Sequence, residues 1–189
     1  MVIATERLTL VPFTLALIRA EIGDRAEFAR LLGASIPDNW PPETLVDALP
    51  LFLSWLEAAP DQVGWFGWYG LVTTREGAAG PPELVGSGGF LGPPQLGQVQ
   101  VGYSVLDQFQ RRGYATEMVV SLVRWAFEQP GVTCVNAETE WANPASVRVL
   151  EKSGFVLVGP AAEPGGTRFE LRITRSNGLN QGTEAKSED

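Results

Sequence analysis

Histidine is absent from all 189 residues, and cysteine occurs once, at Cys134. Without histidine there is no His-based triad, no imidazole general base and none of the commonest metal sites. One cysteine excludes an internal disulfide. Cys134 lies in an apolar, strand-like run, the setting of a buried and inert thiol. Long apolar runs are missing too: no segment reaches the roughly 20 residues of a membrane span. The opening Met1-Val2-Ile3-Ala4-Thr5-Glu6-Arg7 lacks the charged, apolar and small-residue order of a signal peptide, so a cytoplasmic protein is expected. Positive charge is scarce, with 14 Lys and Arg against 22 Asp and Glu and a net charge of −8. That disfavours nucleic acid, whose phosphates need a basic surface. It is compatible with a cationic substrate.

Apolar and aromatic residues are plentiful: 44% of the chain is hydrophobic, with six tryptophans and nine phenylalanines. One domain over residues 1–175 can bury these in a substantial core. Ser176 to Asp189 holds a single large apolar residue, Leu179, and is expected to be a polar tail. Strands are expected at Arg7–Val11, Trp65–Thr73, Leu84–Leu91, Gln98–Leu106, Val132–Glu138, Phe155–Gly159 and Thr167–Thr174. Helical spacing covers Phe13–Leu32, broken at Gly23-Asp24, then Thr44–Ala58, a run from Thr116 to Glu128, and Pro144–Lys152. The order gives a mixed α/β (α+β) domain without internal repeats.

Between the Val99–Leu106 strand and the helix from Thr116 lies Gln110-Arg111-Arg112-Gly113-Tyr114-Ala115-Thr116. A helix that opens from a small-residue turn leaves backbone N–H groups unpaired at its start, and these attract anions such as phosphate. Two arginines strengthen the pull. Taken alone, the segment is equally a turn glycine beside a solvated face. Gly86-Ser87-Gly88-Gly89 is also glycine-rich, but no helix follows it, so a bulge or a close backbone approach is expected there. Asn143 to Phe155 follows the rules of a short capped helix: Asn143 as N-cap, Pro144 at the first position, Gly154 past the end and Phe155 packing back.

In this order and at this separation the two segments resemble the GNAT family of acetyl-CoA-dependent N-acetyltransferases, in the branch of the ribosomal-protein N-terminal acetyltransferases. The family's Gln/Arg-x-x-Gly-x-Gly/Ala turn is matched by Gln110, Gly113 and Ala115, and its following Glu by Glu117. Its Asn-x-x-Ser…Gly-Phe helix is matched by Asn143, Ser146, Gly154 and Phe155. Thr5-Glu6-Arg7-Leu8-Thr9-Leu10 and Val101-Gly102-Tyr103-Ser104-Val105 also look like this branch.

The resemblance implies a mostly antiparallel central sheet with flanking helices, splayed between its fourth and fifth expected strands. It implies acetyl-CoA as the acetyl donor and no metal. The pyrophosphate would meet Gln110, Arg111, Arg112, Gly113, Tyr114, Ala115 and Thr116. The pantetheine arm would run along Ser104, Val105 and Leu106, with Asn143 and Ser146 across from them. Ser146 would hydrogen-bond the sulfur. The acceptor, a small-molecule or protein N-terminal primary amine, would meet Gln100, Tyr103 and Trp40, the last in the stiff loop Ile36–Pro42. A homodimer is a further expectation that the resemblance to this branch raises. The pattern departs from the family at two positions: Gln100 stands where many relatives carry a glutamate base, and Leu150 where many carry a tyrosine acid. Glu138 or Glu140 at the cleft would then take the amine proton through water, or be plain surface charge. A non-catalytic acyl-CoA-binding or regulatory module on the same fold is the alternative.

Overall fold

All seven expected strands form, within an eight-stranded sheet that the computed structural model describes over residues 1–72 and 80–173. The strands are β1 (Ile3–Ala4), β2 (Leu8–Pro12), β3 (Gly67–Val72), β4 (Glu83–Phe90), β5 (Gln98–Val105), β6 (Cys134–Glu140), β7 (Val156–Pro160) and β8 (Gly166–Arg172). The helices are α1 (Leu15–Gly23), α2 (Arg25–Leu32), α3 (Glu43–Ala58), α4 (Tyr114–Glu128) and α5 (Pro144–Lys152). The sheet order is β1-β2-β3-β4-β5-β6-β8-β7. Among the described strands only β5 and β6 pair in parallel, joined through α4 as a parallel crossover requires.

That parallel pairing is short. It covers Gln98 with Cys134, Val99 with Val135 and Gln100 with Asn136, and then stops. Beyond it β5 pairs only with β4, and β6 only with β8. The sheet is therefore splayed where the family resemblance implied, between β5 and β6.

Helices cover both faces of the β2–β5 half. On one face Phe13 stacks on Tyr69 at 4.3 Å and Phe52 meets Phe13 edge-on, so α1–α3 sit there. On the other, Trp68 meets Trp125 of α4 at 5.5 Å. The successive residues Trp68 and Tyr69 thus face opposite ways, as strand alternation demands. Trp65 packs on Trp125 and Phe90, so these aromatics belong to the core, whereas Trp141 is exposed. Cys134 is fully buried and free. Burial pushes its thiol above the ordinary range, in keeping with an inert residue.

The expected break at Gly23-Asp24 forms because Asp24 ends α1 and caps α2, its carboxylate accepting from the N–H groups of Ala26 and Glu27. Several boundaries differ from expectation: α1 begins at Leu15, not Phe13, β3 at Gly67, not Trp65, and β6 runs Cys134–Glu140, not Val132–Glu138. A short β1 precedes β2, too brief to show a pattern. The fourth helix starts at Tyr114, not Thr116, because Gly113 already closes the turn in the left-handed region, at φ +85°, which suits glycine. The expected tail from 176 to 189, the end of the strand expected to reach Thr174, and part of the link from 76 to 82 lie outside the described residues. Among the described residues no helix is long and apolar enough to cross a membrane.

Candidate functional site

The Gln110–Thr116 turn is held from three directions. Gln110 reaches back with its amide to the Val105 carbonyl at 3.1 Å and to Asp107 at 2.8 Å. Arg111 takes a positive φ of 61°. Arg112 donates to the Gln108 carbonyl and lies over the Phe109 ring. The strongest tie comes from the other end of the chain. Glu117 accepts from the Thr5 hydroxyl and from the Arg7 backbone N–H and guanidinium, at 2.5–2.7 Å. Arg7 also donates to the Arg112 carbonyl and sits over the Tyr114 ring. Burial alone would raise the Glu117 carboxyl, but the hydrogen bonds from Thr5 and Arg7 and the Arg7 charge bring it below its ordinary range. Gly113 offers no side-chain cap, so the N–H groups of Tyr114, Ala115 and Thr116 at the start of α4 have no carbonyl partner in their own helix. The glutamate of the motif is thus a brace for this turn.

Within the splay, Tyr103 of β5 reaches α5. Its hydroxyl lies 2.8 Å from the Ser146 Oγ and 3.1 Å from the Ser146 carbonyl. Burial raises the phenol pKa, opposed by the hydrogen bond with Ser146. Asn143 caps α5 by accepting from the Ser146 N–H at 3.0 Å. Ser104 and Val105 lie on the part of β5 that has left β6, and buried Leu106 directly follows it. Leu150 is buried in the core, so the hydroxyl near Ser146 comes from Tyr103 on a strand.

Strand register separates two sides of this cleft. Trp68, Gly88 and Tyr103 form one cross-strand row, on the α4 face. Gly67, Gly89 and Gly102 form the next, on the α1–α3 face. On β6, Asn136 is in register with Gln100. Glu138 and Glu140 alternate with it on the same side, where Glu138 stands opposite Arg168 of β8.

Above the glycine row lies a cavity of about 230 Å³. Its walls include Phe13, Leu45, Ala48, Phe52, Phe66, Phe90 and Leu91, its floor Gly67, Gly89 and Gly102, and its few polar atoms come from Ser87, Tyr103, Ser104 and the backbone. The glycines have separate reasons. A Cβ at Gly67 would meet the Phe13 ring, and one at Gly89 would lie 2.0 Å from the Phe66 carbonyl oxygen. This is the close backbone approach expected of the Gly86–Gly89 segment, and Val85 bulges beside it. A Cβ at Gly102 would meet nothing within 4 Å, because that end of the row opens into the cleft. A second hollow of about 370 Å³ adjoins at Leu91 and is lined by Gln95, Gln98, Gln100 and Asn136.

Trp40 is not on these walls. Its indole is buried, and its Nε1–H donates to Glu21 at 2.7 Å. The proline-flanked loop folds inward and places the ring beside Tyr69, which corrects the expectation of an acceptor-facing aromatic. The same contact reveals a group that sequence reasoning missed. Glu21 accepts from both Trp40 and the Tyr69 hydroxyl. Burial raises its carboxyl to about 7, against the opposing effect of those two hydrogen bonds. The signal was present: Glu21 follows Leu17 by four and Ile18 by three, on the apolar stripe of α1.

This arrangement matches known proteins. The profile of the family described as acetyltransferase (GNAT) domain matches residues 7–156. The chain is 29% identical over 160 residues to the uncharacterized N-acetyltransferase YjdG of Bacillus subtilis (strain 168), covering 84% of this chain and 92% of that protein. Its fold resembles the crystal structure of the acetyltransferase from Agrobacterium tumefaciens str. C58, with a TM-score of 0.61 at 20% identity over 92% of this chain and 95% of that one. It also resembles the ribosomal L7/L12 alpha-N-protein acetyltransferase RimL in complex with coenzyme A, with a TM-score of 0.60 at 16% identity over 92% and 98% of the two chains. Sequence and fold together place the chain in the GNAT acetyltransferase family.

Proposed function

We propose that the protein transfers an acetyl group from acetyl-CoA directly to a primary amine. The observation that carries this reading is the splay of β5 from β6 beyond the Gln100–Asn136 pair, with a braced helix start at one end and the Tyr103–Ser146 bridge inside it. The donors fit the cofactor's groups: uncapped N–H groups at α4 suit a pyrophosphate, and the free edge of β5 suits an amide-bearing arm, which can pair like an added strand. The relatives RimL and AAC(6')-Ib, both solved with coenzyme A, add support. Arg111 and Arg112 would add charge at the phosphates, and Ser104 to Leu106 would line the arm.

Acetyl-CoA supplies an acetyl group activated as a thioester. A backbone N–H near the end of β5 polarises the thioester carbonyl. Ser146 hydrogen-bonds the leaving sulfur, and Tyr103 holds the Ser146 hydroxyl from behind. Its raised pKa keeps the phenol a donor at neutral pH. On the other side of the cleft, only about one amine in a thousand is neutral at pH 7 when its pKa is near 10. Glu138 or Glu140 on β6 accepts the ammonium proton through water. Gln100 cannot act as base, but its amide can orient the nitrogen. The N–C bond forms as the C–S bond breaks. The neutral amine loses one proton and the sulfur gains one, giving an amide and a free thiol.

The test is thiol release from acetyl-CoA with a panel of amines, repeated with Ser146→Ala and Glu138→Gln. Both variants should lower kcat, and Glu138→Gln should move the acid limb of the pH profile upward. Unchanged kcat and pH profile would remove these residues from the mechanism. Tight coenzyme A binding with no amine consumed would favour a non-catalytic module, consistent with Gln100 and Leu150 at the usual base and acid positions.

A further inference from the structure

Resting on the reading above, we infer that the acceptor is a small amine whose body is uncharged and of single-ring size, an arylalkylamine, seated beneath α3 against the Gly102 end of the glycine row. Size is the first argument. The cavity holds about 230 Å³. An apolar cavity of about 150 Å³ takes benzene, whereas pockets for larger ligands run from about 300 to 1,000 Å³. One ring with a short arm suits this space, and an aminoglycoside does not fit it; a polyamine is thin enough to enter but carries charge along its whole length.

Chemistry is the second argument. Phe13, Phe52 and Phe66 supply aromatic walls, Leu45 an aliphatic one, and among the described residues no charged side chain lines the cavity. A cationic body entering it would lose its hydration with no carboxylate to replace it, a heavy desolvation cost for each charge. An aromatic body loses nothing of that kind and gains edge-to-face contacts. The net charge of −8 draws an ammonium group towards the protein at long range, while the cavity itself selects the apolar body.

Position is the third. The row opens at Gly102, next in the chain to Tyr103, whose hydroxyl meets Ser146. An amine at the end of a short arm would leave the cavity there, where the donor's thioester is proposed to lie. Gln100 lies two residues before Gly102 on the same face and offers an uncharged amide.

The experiment compares 2-phenylethylamine, spermidine and a short peptide with a free N-terminus as acceptors, in the wild-type protein and in Gly102→Leu. Gly102 has open space around its missing Cβ and no left-handed φ, so leucine there fills the cavity without straining the backbone. The expected result is a kcat/KM for 2-phenylethylamine at least tenfold above the other two. In Gly102→Leu that advantage should vanish while the melting temperature and coenzyme A affinity hold. Preference for spermidine or the peptide, or an equal loss for all three amines in the variant, would overturn the inference and leave the acetyltransferase reading standing. Ligand-observed NMR of 2-phenylethylamine decides the matter without turnover. Binding that is lost in Gly102→Leu upholds the inference even if no amine is acetylated, in which case the acetyltransferase reading fails alone. Absence of binding to the wild-type protein overturns it.

Discussion

The two walls of the cleft solve opposite problems. Around the Gln110–Thr116 turn, side-chain groups are tied to other protein groups: Gln110 to Val105 and Asp107, Arg112 to Gln108, and Glu117 to Thr5 and Arg7. What remains for a ligand is backbone N–H at a braced helix start, with the charge of Arg111 and Arg112 beside it. Across the sheet, the cavity under α3 is lined mostly by apolar side chains and glycines, and only at Gly102 does the missing Cβ leave open space. A fixed set of donors suits a ligand whose phosphates never vary, because donors held in place need no reorganisation when it binds. An apolar hollow bounded by glycine and phenylalanine is shaped by volume, and volume can change with one substitution. Within a fold that hosts many acceptors, this is the wall expected to vary.

Variants can break this contrast, and the largest effect belongs to the glycine row. Gly89→Ala forces a Cβ to within 2.0 Å of the Phe66 oxygen and 2.6 Å of the Gly67 Cα, both backbone atoms that cannot swing away. Urea unfolding should show a loss of roughly 3 kcal/mol or more. Gly102→Ala, in the same row, should change stability by less than about 0.5 kcal/mol. Equal losses at the two positions would mean that the row is ordinary packing and not the floor of a cavity.

Glu21 and Glu117 sharpen the contrast through pH. The folded-state carboxyl of Glu21 is raised from 4.5 to about 7. Between those values the folded state binds more protons than the unfolded one, so stability falls as pH rises through the window. Glu21→Gln should flatten that slope and gain on the order of 3 kcal/mol at pH 8, read from denaturant midpoints at pH 5 and pH 8. A parallel shift at both values would contradict it. Glu117 has the opposite sign. Its carboxyl is lowered, so its contribution is present above the ordinary carboxylate range and is lost as pH falls through the folded value. Glu117→Ala should cost about 2 kcal/mol, since its partner Arg7 is partly solvated. It should also weaken coenzyme A binding at least tenfold by calorimetry, because the helix start loses its brace. Full affinity in that variant would detach the brace from the donor site.

A modest effect on rate is expected at Tyr103→Phe, which removes the hydroxyl that meets the Ser146 Oγ and carbonyl. A loss of about 1 kcal/mol corresponds to roughly fivefold in kcat. KM for the amine should hold. A change in KM alone would make Tyr103 a wall of the acceptor cavity and not a support for Ser146.

The contrast also decides what could be read from the chain. The turn and the capped helix α5 are contiguous, so their glycine, proline and asparagine positions speak through local backbone rules, and Pro144–Lys152 forms as expected. The splay was legible only through the family resemblance, since nothing local says that β5 and β6 part after Gln100. The role of Glu117 was hidden because its partners Thr5 and Arg7 lie 112 and 110 residues away. The cavity was hidden because Gly67, Gly89 and Gly102 become neighbours only through strand register. Trp40 misled because prolines on both sides suggest an exposed loop, while the half-buried Glu21 carboxylate that draws it inward sits on another element.

A structure with coenzyme A and 2-phenylethylamine both bound tests the central claim most directly. The account predicts phosphates on the N–H groups of Tyr114 to Thr116, the sulfur beside Ser146, and the amine's ring under α3 above Gly102. A pantetheine arm lying in the cavity between Phe52 and Gly102 would contradict it, because donor and acceptor would then compete for one wall of the cleft.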